Sequence, residues 1–172
     1  MAERDLPIEK KADIARKVAF AAMKFAILLQ DSEKRMTFDE TQALSFEGET
    51  WPYLLYTVAR MKSILRNAQT KHEIRTIGEE TALDMIDATP ILLHLAQFSD
   101  TVQKSAQTYK PNYIARYCLD LAQLFNSYYH NHKIIDETNP QLTAARLSLI
   151  QSGIQVFENG LNLLGIQTVE QM

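Results

Sequence analysis

Apolar residues recur at intervals of three and four along most of the chain, the spacing that gathers them on one side of an α-helix. The first run predicts an amphipathic helix from Ile8 to Leu29, with Pro7 suited to its first turn. An irregular stretch follows, with one short helical turn at residues 40–44. A second run then predicts a helix over residues 52–70, opened by Pro52.

Further helix starts follow, marked by capping residues and by prolines in the first turn. The predicted helices cover residues 79–87, residues 90–98 with Thr89 as the cap, residues up to 109 with Ser99 and Asp100 as the cap, residues 111–130, and residues 140–164 between Asn139 and Gly165. No convincing strand alternation is present. The pattern predicts an all-α bundle of six or seven helices.

Composition supports a single domain spanning residues 1–172, with residues 1–7 as a short tail. The chain is 46% hydrophobic, enough to bury a core of its own. It has one cysteine, Cys118, which cannot form an internal disulfide and lies in no zinc-type spacing. Neither an apolar leader nor a run long enough to cross a bilayer is present. We therefore expect a soluble cytoplasmic protein with no membrane partner.

Charge directs attention to one segment. The net charge is −3, so bulk charge does not make the protein a polyanion binder. Residues 51–75, however, carry five cations against one acid, a local balance of five minus one, or +4. The cations are Arg60, Lys62, Arg66, Lys71 and Arg75, and the acid is Glu73. This local excess fits a polyanionic partner.

The same segment places aromatic rings beside a cation. Tyr53, Tyr56 and Arg60 are three and four residues apart, so they share one face of the predicted helix. Rings there could stack on unpaired bases while the guanidinium bonds a base edge or phosphate. The alternative is that both tyrosines are half-buried core residues and the cations a solvated face. Periodicity alone leaves both interpretations open.

Residues 46–68 also resemble a known family. They read FEGETWPYLLYTVARMKSILRNA, which is similar to the beginning of the anticodon-binding (DALR) domain of bacterial arginyl-tRNA synthetases. The segments VAFAAMKF at 18–25, LAQLFNSYYH at 121–130 and LLGI at 163–166 resemble further parts of that domain in the same order. The resemblance extends from about Ile8 to Met172. It implies a helical bundle of the class I synthetase anticodon-binding type.

The resemblance assigns roles to individual residues. Tyr53 and Tyr56 match anticodon-contacting tyrosines, and Arg60 matches an arginine that helps recognise a cytosine of the loop. Met172 matches a terminal methionine that approaches the same place. Tyr129 matches an aromatic that supports the loop, although its neighbour Tyr128 is an alternative RNA-facing residue. Arg66 completes the predicted RNA-binding set as a further cation.

The chain departs from the family at two positions. Ala21 stands where the name-giving motif often has aspartate, which we expect to affect helix packing alone. Trp51 stands where glycine is common before Pro52. Its indole either adds a stacking surface or covers the core, and we favour the core.

The resemblance also implies what this chain does not do by itself. The family's catalytic domain lies upstream, with elements like His-Ile-Gly-His and Lys-Met-Ser-Lys that hold ATP, and neither occurs in this sequence. We therefore expect no catalysis and no cofactor for this chain alone. The predicted partners are arginine tRNA and the catalytic domain of the same synthetase, not DNA. The alternative is a free-standing helical adaptor descended from such a domain.

Other polar residues are not expected to carry chemistry. His130 and His132 point about 200° apart on a helix, which does not suit a shared metal, and no further ligands are evident, so we expect surface or RNA-facing polar groups. His94 lies in an apolar run and is predicted to be a satisfied core or interface histidine. Cys118 is predicted to be a small buried side chain. Glu47 and Glu49 precede a helix, where negative charge favours the N-terminal dipole.

Overall fold

The computed structural model describes residues 8–45, 48–71 and 86–166, and these ranges are helical apart from their connections. Within them, seven helices follow in order: α1 (Ile8–Leu29), α2 (Glu40–Ala43), α3 (Trp51–Lys71), α4 (Thr89–Ala96), α5 (Phe98–Thr108), α6 (Asn112–Asn131) and α7 (Pro140–Leu163). Five of them have 11 residues or more. The predicted all-α fold is confirmed.

Most predicted helix limits agree with the structure. The ends of α1, α2, α3, α6 and α7 differ from the predicted ones by at most one residue. Asn139 caps α7 by accepting a hydrogen bond from the Leu142 N–H at 3.1 Å, and Gly165 follows the helix with a φ of +63°. Of the predicted helix at 79–87, only Ile86 and Asp87 lie in the described residues, and neither is helical.

Two predicted caps are wrong. Thr89 is the first residue of α4, and Ala88 occupies the N-cap position without a side-chain hydrogen bond. Gln97 precedes α5, so Ser99 lies inside its first turn. The reason is that α4 and α5 are separated by Gln97 alone, whose N–H bonds to the His94 carbonyl at 3.1 Å while its carbonyl accepts from the N–H of Thr101. One residue ends one helix and starts the next, which leaves no room for a separate capping segment.

Helix α6 forms the centre of the bundle, because it packs against α1, α3, α4, α5 and α7. Glycines on α7 allow that helix to approach closely. A Cβ on Gly153 would lie 2.4 Å from Cζ of Phe125, and one on Gly160 would lie 2.9 Å from Sγ of Cys118. Cys118 is buried, as predicted, and burial raises the pKa of its thiol to about 12. The thiol is therefore an inert packing group.

The interpretation of His94 as a satisfied histidine is confirmed. Its ring stacks on Tyr117 with centroids 4.2 Å apart, and its Nε2 lies 3.1 Å from the Tyr117 carbonyl oxygen. The Tyr117 hydroxyl in turn donates to the His94 carbonyl at 2.8 Å. These reciprocal bonds join α4 to α6.

Among the described helices, none has the combined length and apolar character that crossing a bilayer requires.

Candidate nucleic-acid interface

The start of α3 is anchored to the preceding loop. The Thr50 hydroxyl donates to the Ser45 carbonyl at 2.6 Å and accepts from the Tyr53 N–H at 3.4 Å. Thr50 thus satisfies one of the free N–H groups of the first turn, as an N-cap side chain does. These two bonds hold the first turn of α3, the helix that carries the predicted RNA-binding residues, against the preceding loop.

Trp51 is a core residue, as favoured from the sequence. Only 1% of its side chain is exposed, and its indole lies against Phe25 of α1 with centroids 6.0 Å apart. The indole therefore joins α3 to α1. It offers no surface on which a base could stack.

The three residues of the predicted face differ in how far their side chains are buried. Tyr53 is half-buried and packs against the hydrophobic core, as one alternative from the sequence required. Tyr56, by contrast, is 48% exposed, and Arg60 is also exposed. Since these two residues are four apart, they are neighbours on the outer surface of α3. The solvent-facing part of the predicted site is therefore Tyr56 and Arg60, which we call the Tyr56–Arg60 face.

Arg60 rests on an aromatic ring of the central helix. Its guanidinium carbon lies 5.0 Å from the centroid of the Tyr129 ring, within the range of a cation–π interaction. Tyr129 is 8% exposed, and its ring packs on Phe125 with centroids 6.0 Å apart. Burial raises the pKa of Tyr129, although nearby Arg60 opposes that shift. The hydroxyl is buried without a hydrogen-bond partner.

Tyr129 therefore lies beneath the arginine and offers no open stacking surface. Its neighbour Tyr128 is also buried, and its ring stacks on His132 with centroids 4.3 Å apart. The alternative of a Tyr128 side chain that faces RNA is wrong for this conformation. Of the two tyrosines, Tyr129 is the one whose ring lies under Arg60.

A polar bridge that the sequence did not reveal fixes α3 against α6. The Asn126 side-chain amide donates to the Thr57 hydroxyl at 2.9 Å, and that hydroxyl donates to the Tyr53 carbonyl at 3.0 Å. Thr57 is fully buried. A threonine between Tyr56 and Val58 gives no sign in the sequence of its partner 69 residues away. The bridge lies one residue after Tyr56 and so steadies the backbone of the face.

The described cations of the segment, Arg60, Lys62 and Arg66, do not form one patch. Lys62 forms an ion pair of 2.6 Å with Glu158 of α7, and its side chain is 19% exposed. Arg66 is exposed, but six residues turn it roughly 120° away from Arg60 and about 9 Å along the helix. The side chain of Lys71 and all of Glu73 and Arg75 lie outside what the structure describes. Among the described cations of the segment, Arg60 is the one that shares a face with Tyr56.

Other predicted features have mixed outcomes. Met172 and Glu47 lie outside the described residues. Glu49 forms an ion pair with Arg116 of α6. Its role is therefore structural, through this ion pair and through its position before the first turn of α3. His130 is exposed and His132 partly buried, and the described residues contain no group of three or more potential metal ligands.

Comparison with known proteins identifies related domains. Residues 54–172 match the DALR anticodon binding domain. The arginine–tRNA ligase of Clostridium botulinum (strain Alaska E43 / Type E3) is 35% identical over 170 residues, which are 99% of this chain and 30% of the ligase. The ligase of Clostridium perfringens (strain 13 / Type A) is 35% identical over the same shares. The chain thus spans about 30% of the length of these relatives.

Solved structures show the same similarity. The arginyl-tRNA synthetase of Thermus thermophilus superposes with a TM-score of 0.80 and 35% identity, over 98% of this chain and 28% of that one. The arginyl-tRNA synthetase of Plasmodium falciparum superposes with a TM-score of 0.76 over 93% of this chain and 28% of that one. At 23% identity, this second similarity shows the fold alone.

Proposed function

Because this chain belongs to the DALR anticodon binding domain family, we propose that it binds the anticodon arm of arginine tRNA as one part of an arginine–tRNA ligase. All 172 residues would serve as the tRNA-binding domain. The remaining length of the ligase would carry the ATP-dependent attachment of arginine, so ATP and arginine are ligands of that part. This chain would contribute affinity and choice of tRNA.

The observation that carries the proposal is the placement of Tyr56 beside Arg60 on one exposed surface of α3. Single-stranded loops are recognised by aromatic rings that stack on splayed bases and by groups that bond the base edges. Both kinds of group are present here, four residues apart. Tyr56 would stack on a base of the anticodon loop, and Arg60 would bond the edge of another.

Arg60 is chemically suited to a cytosine. A guanidinium has donors only, arranged as a fork, and the Watson–Crick edge of cytosine presents two adjacent acceptors, N3 and O2. The Tyr129 ring restrains the arginine before RNA arrives, so less side-chain freedom is lost on binding. Arg60 would therefore read the central cytosine of the arginine anticodon.

The remaining predicted residues take secondary roles. Tyr53 is half-buried and would support Tyr56 from the core side of the same helix. Tyr129 would act through Arg60, since its own ring is covered. Arg66 would contact the RNA backbone at some distance from the base-reading face, and Met172 would approach the loop from the C-terminus. With a net charge of −3, the chain depends on these local contacts for attraction.

The test is a titration of the purified chain with arginine tRNA and with a non-arginine tRNA, at two stated salt concentrations because phosphate contacts weaken as salt rises. We expect tighter binding of arginine tRNA at both salt concentrations. Equal affinity for the two tRNAs would contradict anticodon recognition, and an absence of binding at low salt would contradict tRNA binding altogether.

A further inference from the structure

Helix α1 is apolar on two opposite sides. Its inner side carries Ala22 and Phe25, which are buried against the rest of the bundle. Its outer side carries Phe20, Met23 and Ile27, whose side chains are 68%, 47% and 51% exposed. We call these three residues the α1 stripe. A helix at the surface of a globular protein typically has one apolar side, which faces the core, and one polar side, which faces solvent. Helix α1 departs from that arrangement.

The three residues form one contiguous surface. At about 100° per residue, Phe20, Met23 and Ile27 fall within an arc of roughly 60°, while Phe25 lies about 140° from Phe20. The stripe covers about two turns of helix. Scattered apolar residues on a surface are ordinary, but several that adjoin one another mark a place where another surface binds.

The positions of the sequence matches indicate what covers the stripe. The DALR match begins at residue 54, so α1 lies outside it. The ligase of Clostridium botulinum nevertheless aligns over 99% of this chain, so α1 has a counterpart in the ligase sequence outside the residues that the family match covers. The aligned residues make up 30% of that ligase, so most of the ligase has no counterpart in the present structure.

We infer that the α1 stripe is the surface on which the catalytic part of an arginine–tRNA ligase docks, an inference that rests on the proposed function. The three side chains of the stripe are apolar, which favours a protein surface over a phosphate backbone, and the exposed cation of the same face, Arg16, lies one turn before Phe20. The nearby Lys24 ammonium is already engaged, donating to the Gly165 carbonyl at 2.7 Å. Docking would bury the second apolar side of α1 and fix the tRNA-binding face relative to the site of aminoacylation.

The test uses this chain with the triple substitution Phe20→Ala, Met23→Ala and Ile27→Ala. Alanine keeps the helix, since it has the highest helix propensity, and removes the apolar surface. The matched control is Leu93→Ala with Leu163→Ala, two residues that are 61% and 56% exposed but lie on other helices. The probe is the Clostridium botulinum ligase without its 170 aligned residues, used once a cooperative melting transition shows that this remainder is folded.

The expected result is that the wild-type chain and the control bind this probe with equal affinity, whereas the triple variant binds at least about tenfold more weakly. Equal binding by all three chains would overturn the inference, as would an absence of binding by the wild type. Sedimentation velocity of the chain alone gives a second readout. A dimer that the triple substitution dissociates would assign the stripe to a second copy instead and would also overturn it.

A tRNA titration separates this inference from the proposed function. The triple variant should bind arginine tRNA as the wild type does, because the stripe is not part of the Tyr56–Arg60 face. If the variant lost tRNA affinity with its fold intact, the stripe would be an RNA contact and the inference would fail while tRNA binding stood. If the wild type bound the probe and no tRNA, the proposed function would fail alone.

Discussion

The guanidinium of Arg60 lies over the ring of Tyr129, 5.0 Å from its centroid, so a charged side chain of α3 rests on a buried ring of α6. An exposed arginine on a free helix samples many rotamers and loses that freedom when it binds. Here the ring restricts the arginine in advance. The proposed recognition of RNA by Arg60 therefore depends on a buried residue that offers no open stacking surface of its own.

Two substitutions of Tyr129 should distinguish the contribution of its ring from that of its hydroxyl. Tyr129→Phe keeps the ring under Arg60 and removes a buried hydroxyl that has no partner, so tRNA affinity and stability should stay the same or rise slightly. Tyr129→Leu removes the cation–π contact and should weaken tRNA binding by about 0.5–1 kcal/mol. Binding titrations and urea unfolding of both variants provide the measurement. A larger affinity loss for Tyr129→Phe than for Tyr129→Leu would contradict this account of Arg60.

The same residue should make stability fall in alkali. Burial raises the pKa of Tyr129 above the 10.0 of an ordinary tyrosine, so the unfolded chain releases this proton at a lower pH than the folded chain. Below pH 10 the stabilising contribution is fully present, and it is lost as the pH rises further. Urea unfolding from about pH 9 to about pH 11 should therefore show a shallower decline for Tyr129→Phe than for the wild type. Parallel declines would show that the ring is accessible to water.

Tyr56 should matter for binding and little for folding. Its side chain is 48% exposed, so Tyr56→Ala should change the free energy of unfolding by no more than about 0.5 kcal/mol. Loss of a stacked ring should weaken tRNA binding by about 1–3 kcal/mol. Tyr56→Phe is the matched control, because it keeps the ring and should bind nearly as the wild type does. If Tyr56→Ala bound tRNA normally, base stacking at this position would be refuted.

Gly153 should be required for packing between α6 and α7. A Cβ there would come within 2.4 Å of Cζ of Phe125 and 2.9 Å of Cε of Met61, both fully buried side chains. The crowding in Gly153→Ala should exceed the gain in helix propensity and lower the free energy of unfolding by about 1–2 kcal/mol. Ser152→Ala, at the exposed neighbouring position, should have no such cost. Urea unfolding of both variants tests the difference, and equal stability would show that the helices can separate without penalty.

The sequence predicted the helices well because apolar spacing and proline positions are local properties of the chain. It failed at the caps of α4 and α5, where a shared residue, Gln97, replaces two separate capping segments. Capping preferences describe isolated helix ends, and they do not foresee two helices joined by one residue.

The candidate site was predictable only in part. Helical spacing placed Tyr53, Tyr56 and Arg60 on one face, but their different depths depend on the helices that pack against α3, which lie elsewhere in the sequence. The Thr57–Asn126 bond and the Lys62–Glu158 pair likewise join residues far apart in the chain. Of the five cations of the segment, Lys62 is therefore engaged within the fold, by Glu158 of α7.

The most direct test of the central claim compares Arg60→Ala with the wild type on two RNAs, arginine tRNA and the same tRNA with its central anticodon cytosine replaced. Lys62→Ala is the control on the same helix, because its charge is engaged by Glu158. The wild type and the control should prefer the cytosine, whereas Arg60→Ala should lose about 1–3 kcal/mol of affinity for arginine tRNA and bind the two RNAs almost equally. If Arg60→Ala retained the wild-type preference for cytosine, the assignment of the Tyr56–Arg60 face as the anticodon reader would be contradicted.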